Sequence, residues 1–382
     1  MKGDVSRIKI SVITLHTSIN YGAVLQTYAT KTVLENLGCR VEFVSYYRKN
    51  NTEQAYVKRM LNKKPLRLLN RFTLGLSDKA LSPMALRRVR KRNAPFYSFI
   101  KEHIPLTERD YYSYDELKND PPEADIYCTG SDQVWNSVWN GGIELPYFLA
   151  YAPEGKKKIS FAASIGRDAI DEDEKTQIAP LLRQYDAISM REQSGVELLS
   201  SMGIQSELVL DPTLLLRRED WLKIARPVSK GSKGILLLYI LNWNDQIGSY
   251  AKKLAERNGW NIIRICKSHS PMEDKQIQSV VVDHVEQLIS WFDSASFILS
   301  DSFHATAFAL NFHKQFASVL PPRFSTRIQC IMELTHTTQC LAAGYDREAA
   351  EASIDWAYVD EVLDREREKT RQFLEKAING EG

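Results

Sequence analysis

Cysteine is scarce in this chain of 382 residues: Cys39, Cys128, Cys266, Cys330 and Cys340 are odd in number, widely spaced and form no CxxC pair. Cys39, Cys128 and Cys266 sit in or beside apolar, strand-like runs. Buried reduced thiols are therefore expected rather than disulfides or zinc, which points to a reducing compartment. Long apolar runs are missing too, and no stretch approaches the roughly 20 residues of a membrane span. Residues 1–7 are short and polar and lack the apolar centre of a signal peptide. These absences make a cytoplasmic location the expectation. There is no HExxH and no Cys/His cluster. His269, His284, His313 and His336 are scattered without ligand spacing, so no metal is expected. GxGxxG and P-loop signatures are absent, as are repeats and low-complexity tracts. Net charge is only +2, and no nucleic-acid partner is expected.

Apolar residues make up 43% and charged residues 26%, which suits a globular chain, and the length suits two α/β domains. Residues 8–15 alternate β-branched and polar types and predict a strand. Apolar residues at helical spacing (Val24, Tyr28, Val33, Leu37) predict a helix over 23–37, closed by Gly38. Residues 41–46 predict the next strand, giving a βαβ opening and a parallel sheet. Further strands are expected at 124–129, 158–164, 187–190, 207–210, 234–241, 262–266, 296–299 and 315–320. Helices are expected at 245–258, 285–292, 305–311, 326–334 and 354–378. The expected layout is a first Rossmann-like lobe over 1–195, a second over 196–350 and a terminal helix over 351–382. Ligands would bind between the carboxyl ends of the two sheets.

Residues 50–102 break the rhythm. Between Lys58 and Arg92 there are twelve Lys or Arg and one acid, Asp78, with Leu, Met and Phe interleaved. A solvated helical insertion fits this composition. So does a basic amphipathic surface for anionic lipid or a lipid-linked pyrophosphate, which would bring the protein to the inner face of the membrane.

Four polar segments fall at strand ends. His16-Thr17-Ser18-Ile19-Asn20-Tyr21-Gly22 precedes a helix, whose free N–H groups suit an anion or sugar hydroxyls; a plain N-cap loop fits equally. Gly130-Ser131-Asp132-Gln133-Val134-Trp135-Asn136 offers a carboxylate, amides and an aromatic face, which a carbohydrate site needs. Trp135 or Trp139 fits the core as well. In Met190-Arg191-Glu192-Gln193-Ser194-Gly195 the arginine suits a carboxylate or phosphate, or a surface pair with Glu192. In Ser300-Asp301-Ser302-Phe303-His304 the histidine suits general acid–base work, with Asp301 to orient or charge it. Arg323-Phe324-Ser325-Thr326-Arg327 follows and offers a further anion contact or a helix cap.

In order and spacing these segments resemble the polysaccharide pyruvyl transferase family. Asn20-Tyr21-Gly22-Ala23-Val24-Leu25-Gln26, the Gly130 to Asn136 segment and Lys158-Ile159-Ser160-Phe161-Ala162-Ala163-Ser164 carry the resemblance. So do the Met190 to Gly195 segment, Leu210-Asp211-Pro212-Thr213-Leu214-Leu215 and Asp301-Ser302-Phe303-His304-Ala305. The resemblance implies two Rossmann-like lobes of GT-B-like glycosyltransferase architecture. It also implies phosphoenolpyruvate as co-substrate, without another cofactor, and a pyruvate ketal on a sugar or lipid-linked oligosaccharide. The donor anion would fall to Arg191 and the proton transfers to His304. Many members carry an arginine where this chain has Ser302, and Ala305 stands where glycine is common. Arg323 and Arg327 are the candidates to supply the missing donor contact. Residue type makes Asp132 a candidate base for the sugar hydroxyl. Asn20, Tyr21, Gly22, Ser131, Gln133, Trp135 and Asn136 are the candidates for the acceptor side. A nucleotide-sugar glycosyltransferase and a non-catalytic binding protein on the same fold remain alternatives.

Overall fold

The computed structural model describes residues 8–61, 76–267, 274–321, 325–345 and 347–380. Arg323 and His269 lie outside the described residues, as does the part of the basic segment at 62–75. The first sheet holds β1 (Lys9–Ile13), β2 (Arg40–Tyr46), β3 (Leu106–Tyr111), β4 (Ile126–Thr129) and β5 (Lys157–Ser160). All its pairings are parallel, in the order β3-β2-β1-β4-β5. A short parallel ladder of β6 (Ser189–Met190) and β7 (Glu207–Leu208) extends it, through bridges at Ile159–Ala187 and Ala163–Met190. That ladder spans the 195/196 division drawn from sequence. The second sheet repeats the topology with β8 (Ile235–Tyr239), β9 (Asn261–Cys266), β10 (Ile277–Val281), β11 (Phe297–Ser300) and β12 (Phe316–Ser318), ordered β10-β9-β8-β11-β12. These are two Rossmann-like lobes.

Strand composition follows position. β8 and β11 are central, covered on both faces, and buried at every residue. β3 reads LTERDY and β10 reads IQSVV; each ends its sheet and exposes polar side chains. That edge chemistry hid both strands from a reading based on apolar runs.

Helix α1 (Tyr21–Asn36) follows β1. Asn20 caps it, accepting from the Gly22 N–H at 3.0 Å, and Gly38 at φ +85° lets the chain turn away. The segment that broke the rhythm is the β2-to-β3 crossover, containing α2 (Glu53–Leu61) and α3 (Leu76–His103). The end of α3 packs as a crossover helix should, with Phe96 against Tyr21 and Phe99 against Tyr28. Its earlier half makes only a satellite cluster, Ala85 and Val89 on Val57 of α2, beside exposed basic residues. In the second lobe α4 (Phe303–Asn311) follows β11, and α5 (Thr326–Leu334) comes after β12.

The last helix, α6 (Trp356–Asn379), straps the lobes together. His313 of the second lobe pairs with Asp360 at 2.8 Å. Farther along, Thr370 accepts from the Leu210 N–H at 3.1 Å, and Lys157 donates to the Ile378 carbonyl at 3.0 Å. No described helix is long and apolar enough to cross a membrane.

Candidate active site between the lobes

In each sheet the strand order reverses beside the first strand, at β1/β4 and at β8/β11. Ligands bind outside the carboxyl ends of strands at such points. The loops after β1 and β4 and those after β8 and β11 here face one another across a cleft of about 750 Å³. The first lobe contributes Asn20, Tyr21, Asp132, Gln133 and Trp139. The second contributes Asp301 to His304, Arg264, Lys267 and Arg327, among others. A larger groove of about 1260 Å³ lies beside the terminal helix and contains none of the four polar segments.

His304 sits at the start of α4, and its ring lies against the backbone of α1 in the opposite lobe. A Cβ added to Gly22 would fall 2.2 Å from His304 Nδ1. Nε2 is shielded and has no hydrogen-bond partner. Burial lowers the pKa of His304 to about 4; Asp211 and Asp132 push it up, and Arg191 and Arg327 push it down. At about 4 this is a neutral imidazole at pH 7. Gly22→Ala must therefore displace the ring. We expect turnover to fall about 10²-fold, since a shift of about 1 Å suffices for that, with the melting temperature nearly unchanged. Normal turnover in Gly22→Ala, measured beside its thermal melt, would show that the α1 backbone does not position His304.

Arg191 is the largest departure from the sequence reading. It does not line the cleft, and its side chain is wholly buried. Its guanidinium donates to Asp211 at 2.7 Å and to Asp132 at 2.9 Å, with Glu192 at 3.8 Å. The two terminal nitrogens expected to meet a donor anion are thus taken up by acids of the protein itself, and the buried Nε has no hydrogen-bond partner.

Asp211 anchors this network. It accepts from Arg191, from Ser131 Oγ at 3.0 Å, and from the Thr213 N–H and Oγ1 at 2.9 and 2.6 Å. Burial pushes its pKa up, but Arg191, His304 and the Thr213 bonds outweigh this and hold it at about 2. Glu192 accepts from Ser164 Oγ and from the N–H groups of Ile165 and Gly166. Four of the six sequence segments therefore meet in one buried polar network. Sequence reasoning noticed Asp211 only as part of a motif; an acid before Pro at the end of an apolar run was its sole signal.

The network holds up Asp132. This residue lies at φ +76°, an unusual conformation for a non-glycine residue. Its Oδ1 accepts from the Gln133 N–H and from Arg191, both at 2.9 Å. Burial raises its pKa, yet the charges of Arg191, His304 and Arg327 win, so it is held ionised. Arg327 lies 3.9 Å from it; burial, with Arg191 next, lowers the pKa of Arg327 to about 10. Arg191 and Arg327 both lie over the ring of Phe303, at 5.2 and 5.8 Å.

Asp301 does not partner His304. Its carboxylate accepts from the N–H groups of Leu241 and Asn242 at 2.6 and 2.8 Å and from Asn242 Nδ2 at 2.9 Å. It fastens the loop after β8, and that leaves it no orienting bond to the histidine. Ser302 lines the cleft at the N-cap of α4, with its N–H donated to Ser300 Oγ at 3.0 Å.

On the acceptor side the structure separates the candidates. Asn20, Tyr21 and Gln133 line the cleft. Gly22 lies beneath His304, and Ser131 is buried under Asp211. Trp135 is a core residue: it is 2% exposed, donates to the Tyr147 carbonyl at 2.9 Å and stacks on Phe148. Asn136 is buried and caps the next helical turn, accepting from the Trp139 N–H at 3.0 Å. The aromatic face at the cleft belongs instead to Trp139, 62% exposed. Arg264 and Lys267 also escaped the sequence reading, although an arginine inside the apolar run NIIRIC is a signal.

Among the described residues one group has metal-ligand spacing: Glu102, His103 and Glu286. It lies outside the cleft lining, and Arg226 already sits at 3.0 Å from Glu102 and 3.5 Å from Glu286.

Solved structures repeat this architecture. The S. aureus MnaA–UDP co-structure superposes with a TM-score of 0.52 at 11% identity, covering 95% of this chain and 96% of that one. A crystal structure of UDP-N-acetylglucosamine 2-epimerase gives 0.50 at 10% identity, covering 94% and 95%. At that identity the likeness concerns the fold alone, which is GT-B-like. No match was found among curated protein sequences. The sequence of the polysaccharide pyruvyl transferase family aligns over residues 20–321, most of the chain, and the protein belongs to that family.

Proposed function

We propose that this chain transfers the enolpyruvyl unit of phosphoenolpyruvate to two hydroxyls of a sugar, forming a pyruvate ketal and inorganic phosphate. The observation carrying this reading is His304: a neutral imidazole with a shielded, unpartnered Nε2, under the charges of Asp211, Asp132, Arg191 and Arg327, lining a cleft with further cations. The donor's carboxylate and phosphate need cations, and Arg327, whose Nε has no hydrogen-bond partner, is the cleft-lining cation beside Asp132, 3.9 Å away. Donor charge beside His304 raises its pKa, and Asp132 and Asp211 stabilise the imidazolium. His304 then protonates the methylene carbon. A sugar hydroxyl attacks the adjacent carbon, and its proton returns to the histidine. The C–O bond to phosphate breaks, the second hydroxyl closes the ketal, and its proton leaves with the phosphate. Arg191 acts as a positioning residue for Asp132 rather than as a donor contact.

Phosphate release from phosphoenolpyruvate with a panel of glycan acceptors tests the reading. Stabilisation of the protein by nucleotide sugars but not by phosphoenolpyruvate in a thermal-shift assay would overturn it in favour of ordinary glycosyl transfer. Trp139 offers the acceptor a flat apolar face. Trp139→Ala is expected to raise the acceptor KM about three- to tenfold, an aromatic contact of about 0.5–1.5 kcal/mol, and to leave that of phosphoenolpyruvate unchanged. A change in the donor KM alone would place Trp139 on the wrong substrate. The exposed basic face of α3 supports contact with anionic lipid, which flotation with anionic and neutral vesicles tests.

A further inference from the structure

Two consecutive residues of the first lobe, Asp132 and Gln133, line the cleft from the loop after β4. Asp132 is held ionised, and its Oδ1 is occupied by the Gln133 N–H and by Arg191. Its Oδ2 makes no hydrogen bond among the described residues and is not enclosed by protein. An ionised carboxylate oxygen can only accept.

The Gln133 amide has one accepting and one donating end, and a half-turn exchanges them. A chain of bonds prevents that exchange. It starts at the Trp139 backbone N–H, which can only donate and does so to Asn136 Oδ1 at 3.0 Å. Asn136 must therefore turn its Nδ2 the other way, and it donates to Gln133 Oε1 at 2.6 Å. Reversing Gln133 would set two NH2 groups against each other. Gly166 flanks the same oxygen, where a Cβ would fall 2.5 Å from Oε1. Asn136 is wholly buried, which shields the chain of bonds from solvent. Gln133 Nε2 is left with no hydrogen bond among the described residues, and it is not enclosed.

We propose that Gln133 Nε2 and Asp132 Oδ2 together hold a hydroxyl of the acceptor sugar, with Asn136 as the positioning residue that fixes Gln133 as a donor. A hydroxyl accepts one hydrogen bond and donates another, which matches this pair. An anion only accepts, and the charge of Asp132 repels it. Arg327 approaches Asp132 at Oδ1, 3.9 Å away, so the donor's cation and the hydroxyl pair use different oxygens. The assignment to the acceptor rests on the pyruvyl-transfer reading; a subsite for a neutral sugar hydroxyl stands without it.

Two variants test the arrangement. Gln133→Met removes the donor without adding charge. Asn136→Asp keeps the helix cap, since aspartate also accepts from the Trp139 N–H. Its other oxygen cannot donate, so Gln133 turns over, donates to it and presents Oε1 to the cleft. Calorimetry of the full chain with the methyl glycosides of glucose, galactose and mannose, and separately with phosphoenolpyruvate, reads both, beside thermal melts. The wild type is expected to bind at least one glycoside. Each variant should bind it about three- to tenfold more weakly, the loss of one hydrogen bond. Phosphoenolpyruvate affinity should change by less than about twofold in Gln133→Met, and by less than glycoside affinity in Asn136→Asp. Unchanged glycoside binding in Gln133→Met overturns the proposal, as does a wild type that binds none of the three. So does an equal loss of both ligands in Gln133→Met, because the amide then serves the donor. A folded Asn136→Asp that binds glycoside like the wild type overturns the positioning role; should the buried aspartate prevent folding, Gln133→Met still decides the subsite. A wild type that binds glycoside through Gln133 but neither binds phosphoenolpyruvate nor releases phosphate from it upholds the subsite and removes the pyruvyl-transfer reading instead.

Discussion

His304→Ala is expected to lower turnover by about 10² to 10⁴, the usual contribution of a positioned acid or base, while phosphoenolpyruvate binding survives. The contrast follows from position. His304 is neutral at pH 7 before the donor arrives and so contributes little to anion binding, and Arg327 remains in place. Titration calorimetry and phosphate release on the same variant separate the two effects. The pH profile adds a second readout. Burial holds the free imidazole near 4, and the donor's negative charge raises it. Since the acid form delivers the proton, kcat should fall as pH rises above the pKa of the donor complex. That alkaline limb should vanish in His304→Ala. Near-normal turnover in the variant would overturn the role of His304, and the part played by Asp132, across the cleft in the first lobe, would have to be reconsidered.

Much of this arrangement was legible in the chain. Periodicity gave α1, the central strands and α5 nearly to the residue, because buried parallel strands and amphipathic helices write distinct patterns. The functional face was legible as well: Asn20, Asp132 and His304 follow strands β1, β4 and β11, where the topology reverses. Partnership was the hidden part. Arg191 lies 59 residues from Asp132 and 20 from Asp211, and nothing local says that both acids fold onto it. Asp301 precedes His304 by three residues, yet its bonds go to the loop after β8. Trp135 and Trp139 lie four residues apart and differ only in which side of one short turn they occupy. Tertiary packing decides each of these, and composition carries no trace of it.

Arg191→Ala is expected to damage the fold before it touches the chemistry. Removing one partner of a buried ion pair costs about 3–5 kcal/mol, because the remaining charge is left unpaired. Here two acids are stranded, Asp211 wholly buried and Asp132 mostly so. Asp211 responds most. Its carboxylate is held near 2 chiefly by Arg191 working against burial, so in the variant its pKa rises. The sign of the linkage follows. A carboxyl group with a depressed folded pKa stabilises the fold above its unfolded value and loses that contribution as pH falls through about 2. Without the arginine, that contribution is gone at neutral pH. Urea unfolding of wild type, Arg191→Ala, Asp211→Asn and the double variant measures this directly. The double variant should recover part of the loss, because it leaves one buried charge fewer without a partner. Should Arg191→Ala unfold like wild type yet lose phosphoenolpyruvate affinity, the arginine is a donor contact after all, and the buried network is not what holds Asp132 at φ +76°.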